Sequence, residues 1–141
     1  MDIVFLKNFC KGFGICNKDF ESVFNGFNKI VSFNDFAYFM AYDNSSFSSL
    51  DIVFLRFDNE IVPSSYLLNK ILERTRGYEI SSYKKALDFV YSKNLLKNDF
   101  LDELPQNIFF IVTFEKRVLG YALFDSQKVV NKFNVGKYIG K

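Results

Sequence analysis

Residues 107–141 read NIFFIVTFEKRVLGYALFDSQKVVNKFNVGKYIGK. Short apolar runs alternate there with tight polar connections, which is the pattern of β-strands joined by turns. The runs predict strands at about 108–114, 118–124 and 128–133. We call these three predicted strands the C-terminal β unit.

Positive charge is concentrated in this C-terminal β unit. Residues 116–141 hold six Lys or Arg against one acid, a net charge of +5, whereas residues 1–115 carry −3. The whole chain carries only +2, so the excess is local. Such an asymmetry indicates a face that binds a polyanion.

The remaining composition is that of a globular protein with one domain or two small ones. Hydrophobic residues make up 49% of the 141 residues, which is enough for a core and argues against disorder. The apolar runs are far shorter than the roughly 20 residues that span a bilayer. The first residues lack the basic start of a signal peptide. We therefore expect a cytoplasmic protein, nucleolar in a eukaryote, with no membrane partner.

The chain has few of the residue patterns of common catalytic and metal sites. It has no His, which excludes Ser–His and Cys–His nucleophile schemes, and it contains no phosphate-binding glycine motif. Cys10 and Cys16 would need two carboxylates to complete a zinc site, so we interpret both as reduced cysteines. We expect no enzymatic activity, no metal and no cofactor.

Periodicity predicts the elements of the first half. Apolar residues recur at helical spacing over 18–27, with Asn17 as the expected N-cap. The aromatic run 36–42 fits a strand or a buried helix. Residues 50–57 predict a strand, and Pro63 is placed in the first turn of the helix that follows.

Breaks in the pattern mark a loop, a turn and one subdomain boundary, the last at Arg74-Thr75-Arg76-Gly77. Residues 43–49 are a polar loop and Asp58-Asn59 a turn, while Gly77 is expected to end the preceding helix. The predicted subdomains are therefore 1–76 and 77–141. In the second one, Ser81 or Ser82 caps a helix, SYKKALDFVYSK, whose predicted buried residues are Ala86, Leu87, Phe89 and Val90.

The order of these motifs carries a family resemblance. Residues 78–96, YEISSYKKALDFVYSKNLL, followed by 107–133, resemble the C-terminal RNA-binding region of bacterial ribosomal-RNA cytosine-5 methyltransferases. They are also similar to the Nip-seven-type ribosome biogenesis factors. The motifs of the methyltransferase family correspond to Ile80-Ser81, Leu119-Gly120-Tyr121, and Asn131 with Phe133 in this chain. Ser92 stands where the family usually has Gly.

The resemblance covers about residues 50–141 and implies a fold. Both families join a pre-PUA domain to a PUA-like β-barrel. Upstream, FLRFDNEIVPSSYLL (54–68) resembles the pre-PUA domain. The expected fold is α+β, with a small pre-PUA α/β subdomain followed by a PUA-like mixed β-barrel. Within that barrel, Gly120 would permit close approach of another backbone.

Fold and charge together predict an RNA-binding protein. The expected partner is ribosomal or precursor ribosomal RNA, with ribosomal or biogenesis proteins as further partners. Lysines would clamp the backbone, and an aromatic ring could stack an unpaired base. The predicted RNA-binding residues are Lys84, Lys85, Lys93, Lys97, Lys128, Lys132, Lys137, Arg74, Arg76 and Tyr121.

Two alternatives stay open. The first is a protein-interaction adaptor without direct RNA binding, suggested by the Phe-rich first half. The second is the detached RNA-binding part of an rRNA cytosine-5 methyltransferase. No part of the chain resembles the S-adenosylmethionine-binding domain or the paired catalytic cysteines of those enzymes.

Overall fold

The chain forms two compact units, Met1–Arg74 and Thr75–Lys141. A computed structural model describes residues 3–24, 27–33, 37–42, 51–57, 59–126 and 128–139. The predicted loop at 43–49 and Asp58 of the predicted turn lie outside the described residues. The predicted boundary, after residue 76, lies two residues beyond this division.

The first unit combines three helices with an antiparallel sheet. The sheet order is β1-β2-β3-β4. Its elements are α1 Ile3–Lys11, α2 Asn17–Val23, β1 Phe27–Phe33, β2 Ala37–Tyr42, β3 Asp51–Phe57, β4 Glu60–Pro63 and α3 Ser65–Leu72. The aromatic run that fitted a strand or a helix is a strand over its described residues 37–42, and the strand predicted at 50–57 is confirmed over residues 51–57; residues 36 and 50 lie outside the described part of the chain.

Helix α3 begins later than the sequence predicts. Pro63 ends β4, where it pairs with Phe54, so its placement in a helical first turn was wrong. The N-cap is Ser64, whose side chain accepts a hydrogen bond from the Leu67 amide at 3.0 Å and donates one to the Ile52 carbonyl at 2.7 Å. One hydroxyl thus fixes both the start of α3 and its attachment to β3.

Helix α2 is shorter than predicted. Its N-cap is Cys16 instead of Asn17, and it ends at Val23 because the chain from Phe27 onward joins the sheet. Its apolar face is nevertheless buried, since Phe20 and Phe24 are each 3% exposed.

The described residues of the second unit form a four-stranded mixed sheet with one α-helix and two short 3₁₀ helices. Its order is β5-β6-β7-β8, with β5 parallel to β6 and the other pairs antiparallel. Its elements are β5 Gly77–Glu79, α4 Tyr83–Val90, a 3₁₀ helix Lys97–Asp99, β6 Phe109–Phe114, β7 Arg117–Asp125, β8 Lys128–Asn134 and a 3₁₀ helix Val135–Ile139. The three predicted C-terminal strands are confirmed. Gly77 begins β5 and does not end a helix.

The α+β class is confirmed, but the described strands form no closed barrel. The outer strands β5 and β8 do not pair with each other. Each is covered instead by an irregular segment: residues 99–101 lie against β5, and residues 94–95 lie against β8. The sheet of the second unit therefore stays open while its edges are protected.

Helix α4 packs against β7 and β8. Ser82 is its N-cap, accepting from the Lys85 amide at 3.3 Å. Phe89 is fully buried in a core with Val112 and Phe124. The prediction that Leu87 is buried was wrong, because its side chain is 38% exposed. No helix of the described residues is long and apolar enough to cross a membrane.

Gly120 is required by the packing of β7 on β8. Its φ is +154°, and a Cβ atom built on it would lie 1.9 Å from the Phe133 carbonyl oxygen and 2.8 Å from the Asn134 Cα. The predicted close approach of a second backbone to Gly120 is therefore present, within an open sheet.

Candidate nucleic-acid interface

The C-terminus of α4 ends in a tight backbone turn. Ser92 has φ +68°, its amide donates to the Phe89 carbonyl at 3.0 Å, and the Lys93 amide donates to the Asp88 carbonyl at 3.0 Å. This is a Schellman motif with Ser at the position that usually takes Gly. The turn reverses the chain and sends it back along the sheet.

Asparagine side chains then fix the returning segment to β8. The Asn131 amide side chain donates to the Phe89 carbonyl at 2.8 Å and to the Lys93 carbonyl at 3.2 Å. In return, the Asn94 side-chain oxygen accepts from the Asn131 backbone amide at 2.8 Å. Because Asn131 is held on both sides, residues 93 and 94 lie directly beside β8.

One backbone bridge extends this alignment. Leu95 pairs antiparallel with Val129, with the Val129 amide donating to the Leu95 carbonyl at 3.2 Å. Lys97 lies two residues beyond Leu95 and Lys128 one residue before Val129, so both lie near the same end. The returning segment is therefore an extra, irregular edge along β8.

This arrangement places the backbone segments that carry five of the predicted lysines beside one another. Two come from the returning segment, two from β8, and one from the 3₁₀ helix that follows β8. We call this set the basic strip: Lys93, Lys97, Lys128, Lys132 and Lys137. The 3₁₀ helix is held against α4, because a Cβ atom on Gly136 would lie 2.0 Å from the Val90 carbonyl oxygen.

Most of the strip presents charge to solvent. Lys97, Lys128 and Lys132 are exposed, and none has an acidic partner within 4.0 Å in the part of the chain that the structure describes. Lys93 is also exposed, although its ammonium lies 3.6 Å from an Asp88 carboxylate oxygen. Cations without partners attract a polyanion more strongly than cations already paired.

Lys84 and Lys85 lie at the opposite end of α4. The helix has eight residues, which separates its ends by about 12 Å. Lys84 is exposed, whereas the Lys85 ammonium lies 3.8 Å from an Asp99 carboxylate oxygen. Asp99 is two residues from Lys97, so Lys85 lies near the Lys97 end of the basic strip with its charge already paired, and neither Lys84 nor Lys85 is counted in that strip.

The two predicted arginines belong to different units and are each engaged locally. Arg74 ends the first unit, where its guanidinium donates to the Ser22 hydroxyl. Arg76 forms a 2.6 Å ion pair with Asp102, and its guanidinium lies 4.6 Å from the centre of the Tyr78 ring. Both arginines have structural contacts within their own unit.

Tyr121 lies on the face of the sheet opposite α4. The neighbouring Ala122 is in the core beneath α4, and side chains alternate along a strand. The Tyr121 ring packs 5.2 Å from Phe109 and 6.4 Å from Phe133, measured between ring centres. It is thus part of an aromatic cluster, and it pairs across the sheet with Phe133, the neighbour of Lys132.

Tyr91 is an exposed aromatic residue close to Lys93 of the basic strip, and it was not among the residues predicted from the sequence. It is 58% exposed, at the last turn of α4, two residues before Lys93. A signal existed, because Tyr83, Leu87 and Tyr91 recur every four residues and cannot all face the core that Ala86 and Phe89 occupy.

A pocket of about 490 Å³ lies at the Lys97 end of the strip. Phe100 and Phe124 contribute to its lining, but so do the carboxylates of Asp102 and Glu103. These acids repel phosphate groups. A bound polyanion backbone is therefore expected to follow β8 and to avoid this pocket.

Comparison with known protein families finds no matching family model, and comparison with curated proteins finds no match. The PUA-like resemblance accordingly stays a prediction. What supports a proposal is the geometry of the chain itself, above all the pairing of the lysine-bearing segment after α4 with β8.

Proposed function

We propose that this protein binds RNA through the basic strip, with ribosomal or precursor ribosomal RNA as the target class. The observation that carries the proposal is the pairing of Leu95 with Val129, together with the Asn131 hydrogen bonds. This pairing places two lysine-bearing backbone segments from distant parts of the sequence side by side. A row of exposed lysines suits a phosphate backbone.

The proposed mechanism is backbone clamping with one stacked base. Lys128 and Lys132 are four residues apart on β8, which corresponds to about 13 Å along a strand. Lys128 and Lys132 would contact separate phosphates, while Lys93 and Lys97 would contact the RNA backbone from the segment beside β8. Lysines act as point charges and read no base sequence.

Tyr91 takes the stacking role that the sequence assigned to Tyr121. An exposed ring beside phosphate-binding lysines can stack an unpaired base, which contributes about 1–3 kcal/mol per base. The combination favours RNA with single-stranded loops or bulges over a regular duplex.

The first test is fluorescence anisotropy with a labelled RNA hairpin that has an unpaired loop. Lys128→Ala/Lys132→Ala should weaken binding by at least about tenfold, because two phosphate contacts are lost. The matched control is Lys11→Ala/Lys18→Ala, which removes the same charge from exposed positions in the first unit. Equal effects of the two pairs, or wild-type affinity no better than that of a neutral protein of similar size, would contradict the proposal.

The second test separates stacking from charge. Tyr91→Ala should weaken binding of the looped hairpin by about 5- to 100-fold, the equivalent of one lost stacking contact, and change binding of a blunt RNA duplex far less. Tyr83→Ala, at the other end of α4, is the matched control because Tyr83 is also exposed, at 67%. A Tyr91 variant that loses loop and duplex affinity equally would contradict the stacking role.

A further inference from the structure

A second surface of α4 faces the hairpin between β6 and β7. Four residues of the helix recur at i, i+3, i+4 and i+7, and together with the hairpin they line a groove of about 270 Å³. We call it the α4 groove. Its apolar lining residues are Tyr83, Ala86, Leu87, Val90, Phe114 and Leu119.

The groove walls are held in place by packing. The Tyr83 and Phe114 rings lie 6.3 Å apart between centres, across the groove. Phe114 and Leu119 both pack partly against the core beneath α4. The hairpin turn is tight, with Glu115 and Lys116 both at positive φ, as a two-residue turn requires. The groove is therefore built by the fold and needs no rearrangement to form.

The groove leaves large apolar side chains in water. Tyr83 is 67% exposed and Leu87 is 38% exposed. An amphipathic helix of this size has one buried face, already formed by Ala86 and Phe89. The exposed surface of a second apolar row beside this face is not buried on folding. Burying that surface against a partner would release free energy.

Charge around the groove identifies the kind of partner. Arg117 lines the groove, and Lys84 and Lys116 are sequence neighbours of lining residues; all three are exposed, and none has an ion pair among the described residues. Against these three cations stand two acids: Glu115, which lines the groove and is exposed, and Glu79, whose carboxylate accepts a hydrogen bond from the Glu115 amide. The rim is therefore net positive around an apolar floor.

We propose that the α4 groove binds an amphipathic segment of another protein whose apolar face is flanked by carboxylates. Its apolar side chains would cover Leu87 and the Phe114 side of the groove, while its acids face Lys84 and Arg117. This is the helix-in-groove mode, with anchors at i, i+3, i+4 and i+7. The proposal does not depend on RNA binding, because Lys84 and Arg117 lie outside the basic strip.

The test uses three labelled helical peptides in fluorescence anisotropy. The first carries Leu along one face and Glu on both flanks, the second has Lys in place of every Glu, and the third is a scramble of the first. The Glu peptide should bind at least about tenfold tighter than the other two, because only it matches both the apolar floor and the basic rim.

Two variants locate the binding. Leu87→Ser should weaken the Glu peptide at least about tenfold by removing an apolar contact. Lys84→Glu/Arg117→Glu should reverse the preference, so that the Lys peptide binds tighter; both residues are exposed, so the fold tolerates the exchange. Amide NMR spectra check that each variant is folded.

Several outcomes would overturn the proposal. One is equal binding of the Glu peptide and its scramble, and another is an unchanged preference in the charge-reversed variant. A concentration-dependent dimer in sedimentation velocity that Leu87→Ser abolishes would assign the groove to a second copy of the chain. Loss of RNA-hairpin affinity in Leu87→Ser would assign it to RNA. Unchanged RNA affinity in that variant is the result that we expect.

Discussion

At the scale of single residues, Ser92 shows how an unfavourable backbone conformation is kept for a contact. Its φ of +68° is one that Gly adopts at less cost. The Ser92 hydroxyl, however, accepts a hydrogen bond at 3.0 Å from the side chain of Asn134, which is 1% exposed. Replacing the residue therefore sets backbone strain against a buried polar contact.

This balance predicts different effects for two substitutions. Ser92→Ala should destabilise the second unit by about 1–2 kcal/mol, because it keeps the strain and removes the hydrogen bond. Ser92→Gly should change the free energy of unfolding by less than about 1 kcal/mol, because relief of strain offsets the lost bond. Urea unfolding measures both. Equal destabilisation by Ala and Gly would show that the backbone conformation contributes nothing.

The two cysteines differ in burial. Cys10 is 0% exposed, and burial raises its pKa to about 12, whereas Cys16 is exposed. Because the folded state disfavours the thiolate, the Cys10 thiol stabilises the fold below about pH 9, and this contribution is lost as the pH rises toward 12.

We expect one thiol per chain to react with a disulfide reagent under native conditions at pH 8 and two in denaturant. A thiolate is the reactive species, and Cys10 neither ionises nor meets the reagent in the folded chain. In Cys16→Ser the rapid native reaction should disappear. A rapid native reaction in that variant would mean that Cys10 is accessible.

At the scale of elements, the β7–β8 pair depends on one missing side chain. Gly120→Ala should destabilise the second unit by about 2–4 kcal/mol, because its Cβ would overlap the Phe133 carbonyl oxygen. Gly14→Ala is the control: Gly14 also has positive φ, +84°, but a Cβ there meets nothing within 4 Å. It should cost only about 1–2 kcal/mol of backbone strain in its own unit. Unfolding followed by NMR signals of each unit distinguishes the two.

Elements with a strong local pattern could be predicted from sequence, and elements that depend on distant partners could not. Strands β6, β7 and β8 have alternating apolar residues and tight turns, which are local signals. Strand β5 has three residues and exists because it pairs with Ile111–Thr113. Pro63 fits a helical first turn, but it also fits an edge strand, and pairing with Phe54 decides for the strand.

The barrel expectation was not met for a similar reason. Whether β5 and β8 meet depends on the segments that cover their edges, residues 99–101 and 94–95. Neither segment has a strand pattern, so their position along those edges could not be predicted from local patterns. The fold class was predictable from local patterns, while closure of the sheet was not.

At the scale of the whole molecule, the charge asymmetry predicted part of the candidate site. The excess of lysines after residue 116 pointed to β8. The other lysines of the basic strip, Lys93 and Lys97, lie on the segment that returns beside β8. That grouping depends on the Asn131 hydrogen bonds to the Phe89 and Lys93 carbonyls, which join residues about 40 positions apart. No spacing rule relates such positions, which is why Lys84, Lys85 and Tyr121 were included with them.

The most direct test of the RNA proposal is the salt dependence of hairpin binding. Log affinity should fall linearly with log salt concentration, since each phosphate contact releases counterions. Lys97→Ala/Lys128→Ala/Lys132→Ala should reduce the magnitude of the slope by about two to three, close to one per lysine, whereas Lys11→Ala/Lys18→Ala should leave it unchanged. A wild-type affinity that does not vary with salt, or a slope that the strip variant leaves unchanged, would contradict RNA binding by the basic strip.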